Sequence, residues 1–141
     1  MKVAVRYQSR GGNTKAVAEV IAKAAGVTAK PIDVPLDEVV DILFVGGGVY
    51  AWTIDGSLKS YLENLNKDTV KSVAAFTTGG GMSMTDKIVE IVKGNGINAC
   101  DKTLPIKMGV QNYHLFGGKG EATLSEKKIS LINNFVKEII A

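Results

Sequence analysis

Apolar residues recur in short β-branched runs at positions 3–7, 27–34, 41–45, 72–78 and 103–110. Several are apolar at consecutive rather than alternate positions, the pattern of strands buried on both faces within a parallel sheet. The segments between them follow a helical period. Ala16, Val17, Val20, Ile21 and Ala24 make one face, with Gly26 as the stop, and Leu58, Tyr61, Leu62 and Leu65 make another. Ile88, Val89, Ile91 and Val92 repeat the pattern more briefly before Gly94. A last stripe of Ile129, Ile132, Val136, Ile139 and Ile140 follows Thr123 and Glu126, whose capping-box spacing predicts the start of the final helix. Strands alternating with helices in this way predict a three-layer α/β sandwich with parallel crossovers. Only residues 35–40 separate the second and third strands, so the second helix is expected to be reduced to about one turn. At 141 residues the chain is sized for a single domain.

Glycine sharpens this picture. The chain holds 16, about 11% against a usual value near 7%. They cluster at Gly11-Gly12, Gly46-Gly47-Gly48 and Gly79-Gly80-Gly81, the carboxyl ends of the first, third and fourth strands. In an open sheet of order 2-1-3-4-5 those strands are neighbours, and ligands bind outside the carboxyl ends where strand order reverses. Missing Cβ atoms at three such exits are expected to bring backbone N–H groups close to a ligand. The first exit, Ser9-Arg10-Gly11-Gly12-Asn13-Thr14, runs straight into a helix. Hydroxyls, an amide and free N–H groups at the positive end of a helix suit a phosphate. The lysine and spacing of GxxxxGK[ST] are absent, so nucleoside-triphosphate hydrolysis finds no support. Gly46-x-Gly48-x-x-Ala51 fits the dinucleotide fingerprint in letters only. It follows the third strand, and the acidic residue expected at the end of the next strand is missing.

Tyr7-Gln8-Ser9-Arg10-Gly11-Gly12-Asn13-Thr14 resembles the phosphate loop of the flavodoxin family, usually T/S-x-T-G-N-T after the first strand. Val45-Gly46-Gly47-Gly48-Val49-Tyr50-Ala51-Trp52-Thr53-Ile54 resembles that family's loop after strand three, which packs an aromatic on the flavin. The likeness spans nearly the whole chain, at the length of the short-chain form. It implies a flavodoxin-like five-stranded parallel sheet of order 2-1-3-4-5 and noncovalently bound FMN. It further implies electron transfer with redox partner proteins or a small quinone-like acceptor. By position it implies Ser9, Arg10, Gly11, Gly12, Asn13 and Thr14 around the phosphate. Val49, Tyr50, Ala51 and Trp52 would lie at the ring, with Trp52 or Tyr50 stacking. Thr78, Gly79, Gly80 and Gly81 would line the fourth exit.

The chain departs from the family pattern at three points. Gly11 replaces the usual hydroxyl, with Arg10 beside it as a source of charge. The run Thr77-Thr78-Gly79-Gly80-Gly81-Met82-Ser83-Met84 lacks the aromatic that often covers the second flavin face, which leaves Met82 to cover it or the face open to a substrate. The net charge is +3, whereas electron-carrying flavodoxins are typically acidic. An open face is the mark of the rival reading, a flavodoxin-domain reductase similar to quinone reductases or flavodoxin-type protoporphyrinogen oxidases. A flavin-free receiver-like module would need an aspartate ending the third strand and an acidic pair after the first. The chain has Gly46 to Gly48 and Gln8-Ser9-Arg10 there.

The remaining chemistry narrows the class by exclusion. Lys87, Lys93, Lys119, Lys127, Lys128 and Lys137 are spread over helical segments rather than gathered with aromatics, so nucleic acid is not an expected partner. Apolar stretches such as residues 42–45 fall far short of the roughly 20 residues that span a bilayer. Arg6 interrupts the N-terminal run before a signal-peptide core can form. The single cysteine, Cys100, permits no intrachain disulfide and fits a reducing compartment, so the expected location is cytoplasmic. His114, in Gln111-Asn112-Tyr113-His114-Leu115-Phe116, has no Asp or Ser at a readable spacing, and no residue is assigned a catalytic role.

Overall fold

Consecutive apolar positions bury a strand on both faces, and in the computed structural model, which describes residues 1–79, 84–107 and 124–141, they do so between two helical layers. The elements run β1 (Val3–Gln8), α1 (Asn13–Ala25), β2 (Ala29–Pro31), β3 (Val40–Tyr50), β4 (Thr53–Ile54), α2 (Gly56–Glu63) and β5 (Val70–Gly79). They continue with α3 (Thr85–Gly94), β6 (Asn98–Ala99), β7 (Leu104–Lys107) and α4 (Glu126–Ile140). The strands lie in the order β2-β1-β3-β5, with β6 and β7 both beside β5. β6 pairs its first half, Ser72 with Asn98, and β7 its second, Phe76 with Leu104. All these pairings are parallel and reproduce the expected 2-1-3-4-5 order, the fifth position being shared by two short pieces. β4 stands apart as an antiparallel partner of the end of β3.

Alternation along β3 and β5 divides the core. Ile42, Phe44, Ala74 and Phe76 face α1 and α4, where Phe44 meets Phe135 edge-on at 5.8 Å between centroids. Leu43, Val45, Val73 and Ala75 face α2 and α3, against Leu58, Leu62, Ile88 and Val92. Ser125, not Thr123, caps α4, its hydroxyl accepting from the Lys128 N–H at 3.2 Å; Thr123 lies outside the described residues. Either residue has the right chemistry, but Ser125 directly precedes the first residue with helical geometry.

The crossover from β2 to β3 carries no helix, only a single turn in which the Val34 N–H donates to the Pro31 carbonyl at 3.1 Å. In place of a helix Arg6, only 5% exposed, reaches from β1 and fastens the loop. Its Nε donates to the carbonyl of Val34 at 2.9 Å, Nη2 to that of Pro35 at 3.1 Å and Nη1 to that of Val5 at 3.0 Å. A buried cation is tolerable where its donors are satisfied, and here two of them satisfy the loop carbonyls of Val34 and Pro35, which a helix would have paired internally.

Candidate functional site

β1 delivers its last residues to the edge of the sheet, and Gly12, at φ 96°, turns the chain into α1. That left-handed conformation favours glycine because it has no Cβ. Gly12 brings no side chain to cap the helix, and Ser9 partly replaces it. The Ser9 Oγ accepts from the Gly12 N–H at 3.1 Å and the Lys15 N–H at 3.4 Å. The N–H groups of Asn13 and Thr14 are left for an anion, with no acidic side chain in the first turn to oppose one. The Asn13 Oδ1 is buried without a hydrogen-bond partner, an acceptor that a ligand hydroxyl would satisfy. Thr14, 1% exposed, is placed differently. Its Oγ1 lies 2.7 Å from that of Thr78, joining the start of α1 to the end of β5 beneath the loop. Beyond Ser9 a groove of about 560 Å³ runs between residues 31–33 and the Ser57, Ser60 and Tyr61 side of α2.

The third exit departs from the sequence expectation. β3 does not stop at Val45 but continues through three buried glycines to Tyr50, pairing Gly47 with Gln8 and Gly48 with Thr78. A Cβ on Gly46 would strike Phe76, one on Gly47 would lie 2.6 Å from Leu58 Cδ2, and one on Gly48 would meet the Tyr50 hydroxyl. These glycines make room for neighbouring protein atoms rather than for a ligand, contrary to the expectation that the triplet lines the crevice. The turn itself comes later. Val49 and Tyr50 pair with Ile54 and Thr53 across Ala51 and Trp52, whose φ angles are 48° and 70°. Two positive φ values suit the twist of a two-residue hairpin, a place normally taken by Asn-Gly. With ordinary side chains the turn is strained, and Trp52 stands 73% exposed at its tip.

Arg10 connects the two exits. Its Nε and Nη2 donate to Asp55 Oδ2 at 2.9 and 2.7 Å, and its guanidinium carbon sits 3.9 Å from the centre of the Tyr50 ring. Asp55 is the N-cap of α2, its Oδ1 accepting from the Ser57 N–H at 2.8 Å and from the Ser57 hydroxyl. The Ser57 hydroxyl and N–H, then Arg10, hold the Asp55 carboxyl below its ordinary value. Burial pushes the Tyr50 phenol up, against an opposing pull from Arg10. Asp55 is not among the residues that the sequence pattern marks for the site. Asp55-Gly56-Ser57 before a helical stripe is an N-cap signal, but nothing in the spacing pairs it with Arg10.

Of the other expected site residues, Thr78 is buried and Gly79 closes β5 half-buried. Gly80, Gly81, Met82, Tyr113 and His114 lie outside the described residues. Burial raises the pKa of the half-buried Cys100 thiol, which lowers its reactivity. Among the described residues no cluster of His, Cys, Asp or Glu could hold a metal, and no helix is long and apolar enough to cross a membrane. One end of the site thus offers N–H groups to an anion and the other an exposed indole to a flat ring, which fits a phosphorylated aromatic cofactor.

A family model described as a flavodoxin domain matches residues 4–132. No curated protein matches the sequence. Among solved structures, oxidised flavodoxin 2 from Bacillus cereus is similar at 18% identity and a TM-score of 0.74, over 99% of this chain and 98% of that one. Rubredoxin oxygen:oxidoreductase from Desulfovibrio gigas aligns at 16% identity and 0.69, over 96% of this chain but 34% of its own. An oxidoreductase from Corynebacterium diphtheriae aligns at 12% and 0.55, over 99% and 97%. At these identities the structural likeness carries the fold alone.

Proposed function

The chain belongs to the flavodoxin-domain family, and from that premise we propose that it binds FMN noncovalently and works as an electron carrier between redox partners in the cytoplasm. The observation that carries this reading is the placement, at adjacent strand exits, of an anion-ready helix start and an aromatic-tipped hairpin tied together by Arg10. The N–H groups of Asn13 and Thr14 would hold the phosphate, and Trp52 would lie against the ring. Bound flavin supplies the one- and two-electron chemistry, while the protein supplies binding, orientation and electrostatics.

The carrier reading is kept ahead of a reductase because the run Thr77 to Met84 holds no side chain that donates a proton readily at neutral pH. Purified protein is expected to be yellow and to release FMN on denaturation. Steady-state assays with NADH, NADPH and a small quinone should show only slow turnover. Rates of roughly 1–1,000 per second, the common enzyme range, would assign the protein to the reductases. A preparation that takes up no FMN would overturn the flavin reading itself.

A further inference from the structure

We propose that Arg10 is a positioning residue that clamps the ring-binding hairpin to the phosphate loop, and that it does not itself bind phosphate. This rests on the FMN reading above. The site of the variable second residue of the loop motif would ordinarily make an arginine a candidate phosphate ligand, since a guanidinium recognises phosphate in a bidentate fork. Here the Nε–Nη2 edge of the fork is already engaged. Two of its N–H groups converge on Asp55 Oδ2, its face covers the Tyr50 ring at 3.9 Å, and Asp55 is fixed in turn by Ser57 at the start of α2. The contact joins residues 45 apart and belongs to three elements: the β1–α1 loop, the end of β3 and the cap of α2.

The clamp has work to do because the hairpin is strained at both central positions. A strained turn persists when its surroundings hold it. Tyr50 is the last residue of β3, directly before that turn, so a guanidinium lying on its ring sets where the turn projects Trp52. The pair is partly exposed, with 58% of the Arg10 side chain accessible, and contacts of this kind contribute little to global stability. Its effect falls on preorganisation, where a ligand would otherwise have to order the hairpin on binding.

Comparing FMN with riboflavin, which lacks the phosphate, separates the two roles. Arg10→Gln, Asp55→Asn and the double variant would be titrated with both ligands by flavin fluorescence, alongside Arg10→Lys, which keeps the charge but loses the planar fork. Each variant is expected to weaken both ligands by the same factor, about fivefold, with the wild-type ratio of FMN to riboflavin affinity retained. The double variant should be no worse than either single one. Thermal unfolding of the flavin-free proteins should show the same non-additivity. Loss of FMN affinity alone in Arg10→Gln, collapsing the ratio, would make Arg10 a phosphate ligand and overturn the proposal. So would an Asp55→Asn variant with wild-type affinities. Failure of the wild type to bind either flavin would instead remove the FMN reading on which the proposal stands.

Discussion

Three side chains set the local chemistry, and each can be tested singly. Asn13 holds a buried oxygen without a partner at the mouth of the loop, so Asn13→Ala is expected to weaken FMN by about 0.5–1.5 kcal/mol, the range for one hydrogen bond between neutral groups, without lowering the melting temperature. Thr14 should behave in the opposite way. Its hydroxyl meets only that of Thr78 in a buried pair. Thr14→Val leaves that partner unsatisfied and should destabilise the fold by about 1–3 kcal/mol in denaturant titrations. Asp55 ties stability to pH. A carboxyl whose folded pKa lies below its unfolded value stabilises the fold above the unfolded value, and that contribution is lost as pH falls through the folded one. Asp55→Asn should therefore melt earlier than wild type at pH 7, and the two curves should converge below about pH 4. A gap that persists in acid would assign the stabilisation to something other than the ionised carboxylate.

At the scale of elements the β3–β4 hairpin is the point where local preference and placement conflict. Ala51→Asn puts a residue tolerant of positive φ where one is needed and should raise stability by about 0.5–1 kcal/mol. Trp52→Gly should also relieve the turn yet lose about 0.5–1.5 kcal/mol of ring stacking, giving a protein that melts later and binds flavin less tightly. A Trp52→Gly variant with undiminished FMN affinity would place the stacking on Tyr50. The element order, the parallel sheet and the loop of residues 9–14 were legible because burial on both faces and the glycine-to-helix transition leave marks in the sequence itself. Three features were not. Glycines that admit Phe76, Leu58 and Tyr50 read like glycines that admit a ligand, so β3 looked to end five residues early. The fifth strand is broken at residues 100–103, and the two residues of β6 are too few to show a period. The Arg10–Asp55 pair depends on the meeting of two strand exits, which no local pattern records.

Across the whole molecule, strand length falls from the centre outward. β3 and β5, of 11 and 10 residues, have parallel partners on both sides, while β2 at one margin has 3 residues and β6 and β7 at the other have 2 and 4. The Ile32 N–H donates to the Tyr7 carbonyl at 2.9 Å, so alternation turns the nitrogen of Pro31 outward, where it has no hydrogen to give. Lys30 beside it is exposed and charged. A second molecule approaching this margin meets an edge too short to extend, one donor missing and a charge in the way, which are the means by which proteins discourage strand-to-strand assembly. Replacing Lys30 and Pro31 together by valine should convert that margin into a template, with self-association rising on light scattering at protein concentrations where the wild type stays dispersed. The crossover that gave up its helix thus starts from a strand made unfit for company, and resistance to edge-to-edge pairing at this margin rests on Lys30 and Pro31.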